Sequence, residues 1–362
     1  MQIQIFDLEL RSPHNKPVKL MLLSDSFLFP NLFVNWILNQ QLRNTKLPPG
    51  IAITLLAIFF LACSCKNHRP NQLLESKVLS VFHAGSLSVP MKNLAASFEK
   101  ENPGVKVQLE ASGSLACVRK ITELNRICDV LALADYSLID ELMIPQYAEW
   151  NILFATNELC LVYTDKSKKA GEINDRNWFE ILMDDEIHYG RSDPNADPCG
   201  YRTVLAVNLA DRYYQGGKDW QKLLEKDNRF IRGKETDLNA LLESQTIDYM
   251  FNYRSVAVQH GFKYLQLPDS VNLSNPSLDS WYATARVNIR GTSPGTTVTQ
   301  KGATIVYGLT IPLNAPNPKL GEKFVQFIND PKKGRIIIEQ SGQTAIEPKY
   351  STKSRRDRFF FN

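Results

Sequence analysis

Short apolar runs alternate with amphipathic segments along the chain from residue 77 onward. The apolar runs predict buried strands at 78–84, 105–111, 129–135, 158–164, 247–253 and 304–312. Apolar residues that recur every three or four positions predict helices within 89–104, 115–127, 202–214, 236–245, 317–330 and 332–342. Because strand, small-residue loop and helix follow one another repeatedly, the pattern predicts an α/β fold with parallel strands.

The first 65 residues have a different pattern. Residues 51–63 form an uncharged apolar run, shorter than the about 20 residues of a membrane-spanning helix but typical of a signal peptide. The sequence FLACSCKN at its end resembles a lipoprotein signal, with Cys63 or Cys65 as the lipidated residue. An ordinary secretory signal with incidental cysteines is the alternative, and both predict export. Residues 1–50 are interpreted as lying upstream of the true start, and no function is predicted for them.

Composition and charge narrow the function classes. Of the 362 residues, 43% are hydrophobic and 22% are charged, which is enough apolar material for a sizeable core. The formal net charge is only +4, and no basic stripe with interleaved aromatic residues is present, so no nucleic-acid partner is predicted. The motifs GxSxG, GxxxxGK[ST], GxGxxG and HExxH are absent. Cys117 and Cys128 belong to no CxxC pair and are predicted to be buried thiols.

Three small, polar loops each follow a predicted strand and open a predicted helix. They are Gly85-Ser86, Ser112-Gly113-Ser114 and Pro198-Cys199-Gly200. Helix N-termini expose backbone N–H groups and the positive end of the helix dipole, and serine adds a hydroxyl donor. Each serine taken alone also fits a simple N-cap. If the three loops meet at the carboxyl ends of the strands, however, they form a cage for an oxyanion.

Six segments occur in the order and with the spacing of a known family: VFHAGSL, ASGS, SDPNADPCGYR, KETDLNALLES, IDYMFNYRSVAVQH and VYGLTIPLNAPN. Between Val78 and Gly342 the chain resembles the tungstate- and molybdate-binding proteins of ABC importers, in the branch that carries DPCGYR. The resemblance implies the class II periplasmic-binding-protein fold, with two α/β lobes, a hinge and a ligand in the cleft. The implied divisions are an extension and signal peptide at 1–65, the first lobe at 66–157 and 300–346, the second lobe at 158–299 and a loosely ordered tail at 347–362.

The resemblance also implies a set of site residues. Asp197 and Glu235 correspond to carboxylates that bind tungsten or molybdenum directly, in addition to the four oxygens of the anion. The other matching positions contact the oxyanion through hydroxyl groups, backbone N–H groups or loop shape, and they are Gly85, Ser86, Ser114, Pro198, Cys199 and Tyr253. Without the resemblance, the favoured interpretation is that Asp197 only caps the helix and that Glu235 is an ordinary residue of a first helical turn.

The implied protein is an exported, lipid-anchored monomer that performs no chemistry on its ligand and needs no cofactor. Its partners are the permease subunits of an ABC importer and, through them, a cytoplasmic ATPase. Two alternatives stay open. The ligand could be another oxyanion, such as sulfate or phosphate, with structural carboxylates. The protein could instead be an exported enzyme that uses Cys199, because a thiol at a helix N-terminus has a lowered pKa.

Overall fold

The computed structural model describes residues 10–11, 17–18, 77–215, 217–291 and 295–354. The chain divides into two compact units, Met1–Gln72 and Leu73–Asn362. In the first unit, Leu10–Arg11 pairs antiparallel with Pro17–Val18. The predicted signal segment, including Cys63 and Cys65, lies outside the described residues. None of the helices in the described ranges is long and apolar enough to cross a membrane.

The second unit contains both strands and helices in alternation. Its described strands are, in chain order, β1 (Lys77–Ala84), β2 (Val105–Ser112), β3 (Val130–Leu133), β4 (Ile152–Thr156), β5 (Leu159–Tyr163), β6 (Tyr189–Ser192), β7 (Ile231–Arg232), β8 (Tyr249–Tyr253), β9 (Lys263–Gln266), β10 (Arg286–Arg290), β11 (Thr297–Lys301), β12 (Val306–Thr310) and β13 (Thr344–Tyr350). Its described α-helices are α1 (Ser88–Glu101), α2 (Ser114–Thr122), α3 (Ser137–Leu142), α4 (Trp178–Met183), α5 (Pro198–Tyr214), α6 (Trp220–Glu225), α7 (Leu238–Glu243), α8 (Arg254–His260), α9 (Asp269–Asn272), α10 (Asp279–Tyr282), α11 (Pro318–Asn329) and α12 (Gly334–Gln340).

A six-stranded mixed sheet forms the first lobe, in the order β13-β4-β12-β3-β1-β2. The strand β1 lies parallel to both β2 and β3, and Phe82 pairs with Glu110 on one side and Leu131 on the other. The late strand β12 lies between β3 and β4 and is antiparallel to both. All four residues of β3 are buried, as expected for a central strand covered by helices on both faces.

A five-stranded sheet forms the second lobe, in the order β9-β5-β8-β6-β7. The strand β8 runs parallel to β6 and antiparallel to β5, with Tyr253 opposite Leu159. All five residues of β8 are buried. The strand β8 is followed directly by α8, and β6 is followed by the loop that leads to α5.

The chain passes between the two sheets twice. The first passage is only two residues long, Asn157-Glu158, between β4 and β5. The return runs from β9 through two short helices and the antiparallel hairpin β10–β11 to β12. The second sheet is thus built from one continuous stretch, whereas the first sheet is completed only by the chain that returns to it.

Each apolar run predicted as a strand contains a strand, so the α/β prediction is confirmed. The prediction of parallel strands is wrong for part of both sheets. In the first sheet, β12 is antiparallel to β3 and β4, and β13 is antiparallel to β4. In the second sheet, β5 is antiparallel to β8 and β9. The helix predicted within 115–127 is also shorter than expected, because α2 ends at Thr122. Asn125, which lies beyond this end, has a positive φ that a right-handed helix does not allow. The prediction of a loosely ordered tail from residue 347 is wrong for its first residues. The strand β13 continues to Tyr350, and Ser351 and Ser354 are buried.

Candidate functional site

Gly85 and Ser86 lie at the carboxyl end of β1, in a 3-10 turn that leads into α1. Both residues are buried. A methyl group built on Gly85 would lie 2.8 Å from Oε2 and 2.9 Å from Oε1 of Glu235. A larger residue at this position would have to displace the Glu235 carboxylate, so glycine lets the backbone of the first lobe touch a carboxylate of the second.

Ser114 is the first residue of α2 and is completely buried. Its Oγ accepts a hydrogen bond of 3.0 Å from the backbone N–H of Ala134, at the end of β3. The preceding Gly113 lies against the second lobe, since a methyl group on it would be 2.3 Å from the carbonyl oxygen of Ala196. The same carbonyl accepts a hydrogen bond from the N–H of Ala116. The start of α2 thus faces the loop before α5.

Asp197 occupies the N-cap position of α5, with Pro198 as the first helical residue. Its backbone is extended, with φ −143° and ψ 135°, and its carbonyl accepts the first helical hydrogen bond. Its side chain, however, makes no capping hydrogen bond. Capping is the usual role of an aspartate at this position, so the carboxylate is available for another one.

Glu235 begins a 3-10 turn that leads into α7, and it is completely buried. In the described part of the chain, no hydrogen bond of ordinary distance and angle reaches an oxygen of Glu235 or Asp197, although the two carboxyl groups lie close to each other and the Ser86 hydroxyl lies close to Glu235. Four carboxyl oxygens are therefore buried in one region without a well-formed hydrogen bond. Buried carboxylates are normally paired or hydrogen-bonded, because burying an uncompensated charge is costly.

The pKa values of the two carboxyl groups reflect this environment. Burial raises the pKa of Asp197 to about 6, and interactions with Ser192, Cys199 and Arg202 oppose the shift only in part. Burial, followed by the negative charge of Asp197, raises the pKa of Glu235 well above its ordinary value. The hydroxyl of Ser86 lies close enough to Glu235 to lower this pKa slightly. A strongly positive centre in contact with both carboxyl groups would stabilise their ionised forms and lower both pKa values.

Tyr253 ends β8 and is completely buried. Its hydroxyl accepts a hydrogen bond of 2.8 Å from Nη1 of Arg202. Arg202 also donates to the carbonyl oxygen of Ala134 at 2.7 Å and forms an ion pair with Asp135. The Tyr201 hydroxyl donates to the same carboxylate at 2.5 Å. A buried polar network thus connects Tyr253 in the second lobe with the end of β3 in the first.

The predicted site residues therefore lie where the two lobes meet. Gly85, Ser86, Asp197 and Glu235 are grouped together, while Ser114 and Tyr253 are joined to each other through Ala134 and Arg202. Within the described ranges, no set of three or more His, Cys, Asp or Glu side chains is arranged to hold a metal ion. The carboxyl groups at this site are thus a pair rather than a complete metal centre.

Cys199 does not have the properties expected of a thiolate nucleophile. It is completely buried, and burial, followed by the charges of Asp197 and Glu235, raises the pKa of its thiol well above the ordinary value. The expectation that the helix N-terminus lowers this pKa is wrong, because desolvation outweighs the helix dipole. The prediction of buried thiols at Cys117 and Cys128 is confirmed, and both are free cysteines.

Several residues around the site were not predicted from the sequence. Tyr307 in β12 donates a hydrogen bond of 3.0 Å to Oγ of Ser86, and Asn157 donates one of 2.9 Å to the Tyr307 hydroxyl. Arg202 could have been found, because a residue four positions after Pro198 lies on the same helix face. Tyr307 and Asn157 carry no comparable signal, since they reach the site only through the pairing of β12 in the first sheet.

Comparison with known proteins agrees with this architecture. The family described as bacterial extracellular solute-binding protein matches residues 79–343. The chain belongs to this family. Among solved structures, the extracellular solute-binding fold is shared with the periplasmic molybdate-binding protein of Azotobacter vinelandii, at a TM-score of 0.52, 17% identity and coverage of 74% of this chain and 98% of that chain. It is also shared with the sulfate-binding protein SubI of Mycobacterium tuberculosis, at a TM-score of 0.55, 14% identity and coverage of 75% and 88%.

Relatives within the solute-binding family are more similar in sequence. The molybdate/tungstate-binding protein WtpA of Pyrococcus abyssi is 41% identical over 328 residues, which cover 83% of this chain and 94% of the relative. An uncharacterised solute-binding protein of Petrotoga mobilis is 48% identical over 269 residues, which cover 74% of this chain and 84% of the relative. The class II binding-protein fold expected from the sequence is confirmed.

Proposed function

We propose that this solute-binding protein captures tungstate or molybdate and delivers it to an ABC importer. The observation that carries the proposal is the pair of buried, unpartnered carboxylates, Asp197 and Glu235. The similarity to the Pyrococcus abyssi molybdate/tungstate-binding protein supports it. No chemistry on the anion is required for this role.

The carboxylates make sense only for an oxyanion whose central atom can accept further ligands. Next to sulfate or phosphate, a carboxylate adds repulsion between like charges and forms no compensating bond. Tungsten(VI) and molybdenum(VI) are large Lewis acids, so two carboxylate oxygens can extend their four oxygen ligands toward six. Asp197 and Glu235 would therefore favour tungstate and molybdate and disfavour sulfate at the same time.

The remaining proposed contacts go to the oxygens of the anion. Gly85 and Ser86 supply backbone and hydroxyl donors from the first lobe, together with Ser114. Tyr253 supplies a hydroxyl from the second lobe, and Pro198 and Cys199 shape the start of α5, where the N–H of Cys199 is the available donor. Donors at helix starts are suited to bind an anion that is almost free of water.

Capture would close the two lobes around the anion. The contacts of Gly85 with Glu235 and of Gly113 with Ala196 are then contacts of the closed form. We place the hinge near residues 158 and 300, close to the two passages between the sheets. Closure of two lobes about a short hinge is a common response of binding proteins to their ligands.

The wider assignment follows from the same proposal. The closed protein would act as a monomer, dock on a permease pair and, through the permease, engage a cytoplasmic ATPase. Members of this family are described as extracellular, and lipidation at Cys63 or Cys65 would hold the protein at the membrane surface.

Calorimetric titration of residues 67–362 with tungstate, molybdate and sulfate tests the proposal. Tight binding of the first two anions and none of sulfate is expected. Asp197→Asn and Glu235→Gln should weaken tungstate binding far more than any residual sulfate binding, whereas Glu243→Gln, on the exposed side of α7, should change neither. Sulfate binding as tight as tungstate binding, with equal losses in both variants, would refute carboxylate coordination.

A further inference from the structure

Each of the three hydroxyl groups in the proposed site accepts a hydrogen bond from the protein. Tyr307 donates to Ser86 at 3.0 Å, the N–H of Ala134 donates to Ser114 at 3.0 Å, and Arg202 donates to Tyr253 at 2.8 Å. A hydroxyl group has one proton and two acceptor lone pairs. Once a neighbour donates to its oxygen, its own proton is directed away from that neighbour.

The direction of the hydrogen bonds that reach Ser86 is fixed at Asn157. Oδ1 of Asn157 accepts from the backbone N–H groups of Glu158 at 3.0 Å and Ser255 at 3.4 Å. Because backbone N–H groups only donate, the opposite atom of the amide must be Nδ2. Nδ2 donates to the hydroxyls of Ser255 at 2.7 Å and Tyr307 at 2.9 Å.

The hydroxyl of Tyr307 then has only one way to donate. Its oxygen already accepts from Asn157, so its proton points to Oγ of Ser86. The proton of Ser86 cannot point back to Tyr307 and is then available to the proposed anion. The backbone of Ser86 is held independently, because Nε2 of Gln343 donates to its carbonyl oxygen at 2.9 Å. All of these side chains are buried in this form of the protein.

The same logic applies to the other two hydroxyls. Ser114 accepts from a backbone N–H, which cannot reverse its role. Tyr253 accepts from a guanidinium group of its own lobe, which has no acceptor atom and therefore can only donate, and in the closed form Arg202 is also held by Ala134 and Asp135. Thus three hydroxyls on different elements receive a hydrogen bond from a group that can only donate or whose direction is fixed.

We propose that Asn157, Tyr307 and Arg202 are positioning residues that orient the hydroxyl protons of Ser86 and Tyr253 toward the bound oxyanion. The proposal rests on the proposed function and deepens it. Donors that are oriented before the ligand arrives pay no reorientation cost on binding, and hydrogen bonds to a charged group are about twice as strong as neutral ones. The competing explanation is that Tyr307 only fills space between the sheet and Ser86.

A double-mutant cycle on tungstate affinity separates these explanations. Tyr307→Phe keeps the ring and removes the hydroxyl, and it should lower the affinity roughly ten-fold. Ser86→Ala should lower it by at least as much. If Tyr307 acts only through Ser86, the double variant binds as weakly as Ser86→Ala and no more weakly. A double variant that loses the product of the two single effects overturns the proposal.

Two further variants complete the experiment. Asn157→Asp is nearly isosteric but turns the donor to Tyr307 into an acceptor, so it should also weaken binding and show no added effect in the Ser86→Ala protein. Tyr282→Phe is the matched control, because it removes a buried hydroxyl that donates to Asp269 in another part of the fold, and it should leave the affinity unchanged. A wild-type protein that binds neither tungstate nor molybdate would refute the proposed function itself, whereas normal binding with an additive cycle would refute only the positioning role.

Discussion

Arg202 in the second lobe and Asp135 in the first form a buried ion pair, with 3.1 Å between Nη2 and Oδ2. Only 4% of the Arg202 side chain and 12% of the Asp135 side chain are exposed. The pair therefore depends on contact between the lobes. In an open cleft both charges would regain water, so this interaction contributes to closure more than to folding.

Asp135→Asn should accordingly weaken ligand binding more than it destabilises the fold. Breaking a buried ion pair by removing one partner costs about 3–5 kcal/mol, but opening the cleft relieves that cost in the ligand-free protein. We expect a loss of tungstate affinity of about a hundred-fold or more, measured by calorimetry, and a change of about 1 kcal/mol or less in the free energy of unfolding. Glu347→Gln, which breaks the exposed pair with Arg335, is the control. Equal effects on both quantities would contradict the prediction.

Glu235→Gln should stabilise the ligand-free protein while it impairs binding. The buried carboxyl has no well-formed hydrogen bond and lies beside Asp197, whereas a glutamine amide could donate to that neighbour. We expect the free energy of unfolding in urea to rise by about 1–2 kcal/mol. Glu243→Gln should leave it unchanged. A decrease for Glu235→Gln would mean that the carboxylate has a stabilising partner in the folded protein.

Gly113→Ala tests how closely the lobes must approach. The backbone at Gly113 has φ −59° and ψ 145°, which alanine adopts without strain, so the obstacles are two backbone carbonyl oxygens of the second lobe, those of Ala196 at 2.3 Å and Gly233 at 2.9 Å. Separation of the lobes removes these clashes. We expect tungstate affinity to fall about ten- to a hundred-fold, since overpacking costs about 1–3 kcal/mol.

Gly233→Ala is the matched control for Gly113→Ala. A methyl group on Gly233 has no neighbour within 4 Å, so tungstate affinity should stay at the wild-type value. If Gly113→Ala binds as tightly as this control, the contact between Gly113 and Ala196 is not needed in the ligand-bound form.

His83 should make the protein sensitive to acid. Its ring is buried and donates from Nδ1 to the carbonyl oxygen of Ala84 at 2.8 Å. Burial lowers its pKa to about 4, and the charges of Lys234 and Lys120 add to this effect. The folded protein thus binds the proton less readily than the unfolded chain, so stability is lost as the pH falls from about 6.5 to about 4.

The measurement is the free energy of unfolding of wild type and His83→Gln between pH 4 and 7. The other titrating groups are common to both proteins, so the difference isolates His83. We expect the wild type to lose roughly 3 kcal/mol relative to the variant as the pH falls through this window. A difference that does not change with pH would show that His83 is protonated to the same extent in the folded and unfolded states.

The strands that could be predicted are those with continuous apolar sequence, such as β1, β3 and β8, because burial on both faces imposes it. The strand β13 was missed because its exposed and half-buried residues place it at the edge of the first sheet. Parallel and antiparallel pairing was not predictable from the local pattern either. The direction of pairing depends on which strands the returning chain lies beside, and β12 lies between β3 and β4.

The proposed anion contacts could be named because each lies in a short motif at the end of a strand or the start of a helix. Pattern alone left Asp197 ambiguous between a helix cap and a ligand. The structure adds that its side chain makes no capping hydrogen bond. The positioning residues Tyr307 and Asn157 could not be found, because their partners are distant in sequence and nothing local distinguishes them from ordinary buried polar residues.

The position of β12 in the first sheet has a consequence for how the protein is made. The second lobe is built from one continuous stretch that includes Leu159–Tyr163 and Lys263–Gln266, so it can form as soon as that stretch is available. The first lobe lacks the strand between β3 and β4 until Val306–Thr310 has been synthesised. The first lobe of a growing chain therefore stays incomplete for longer than the second, although its first strands are synthesised earlier.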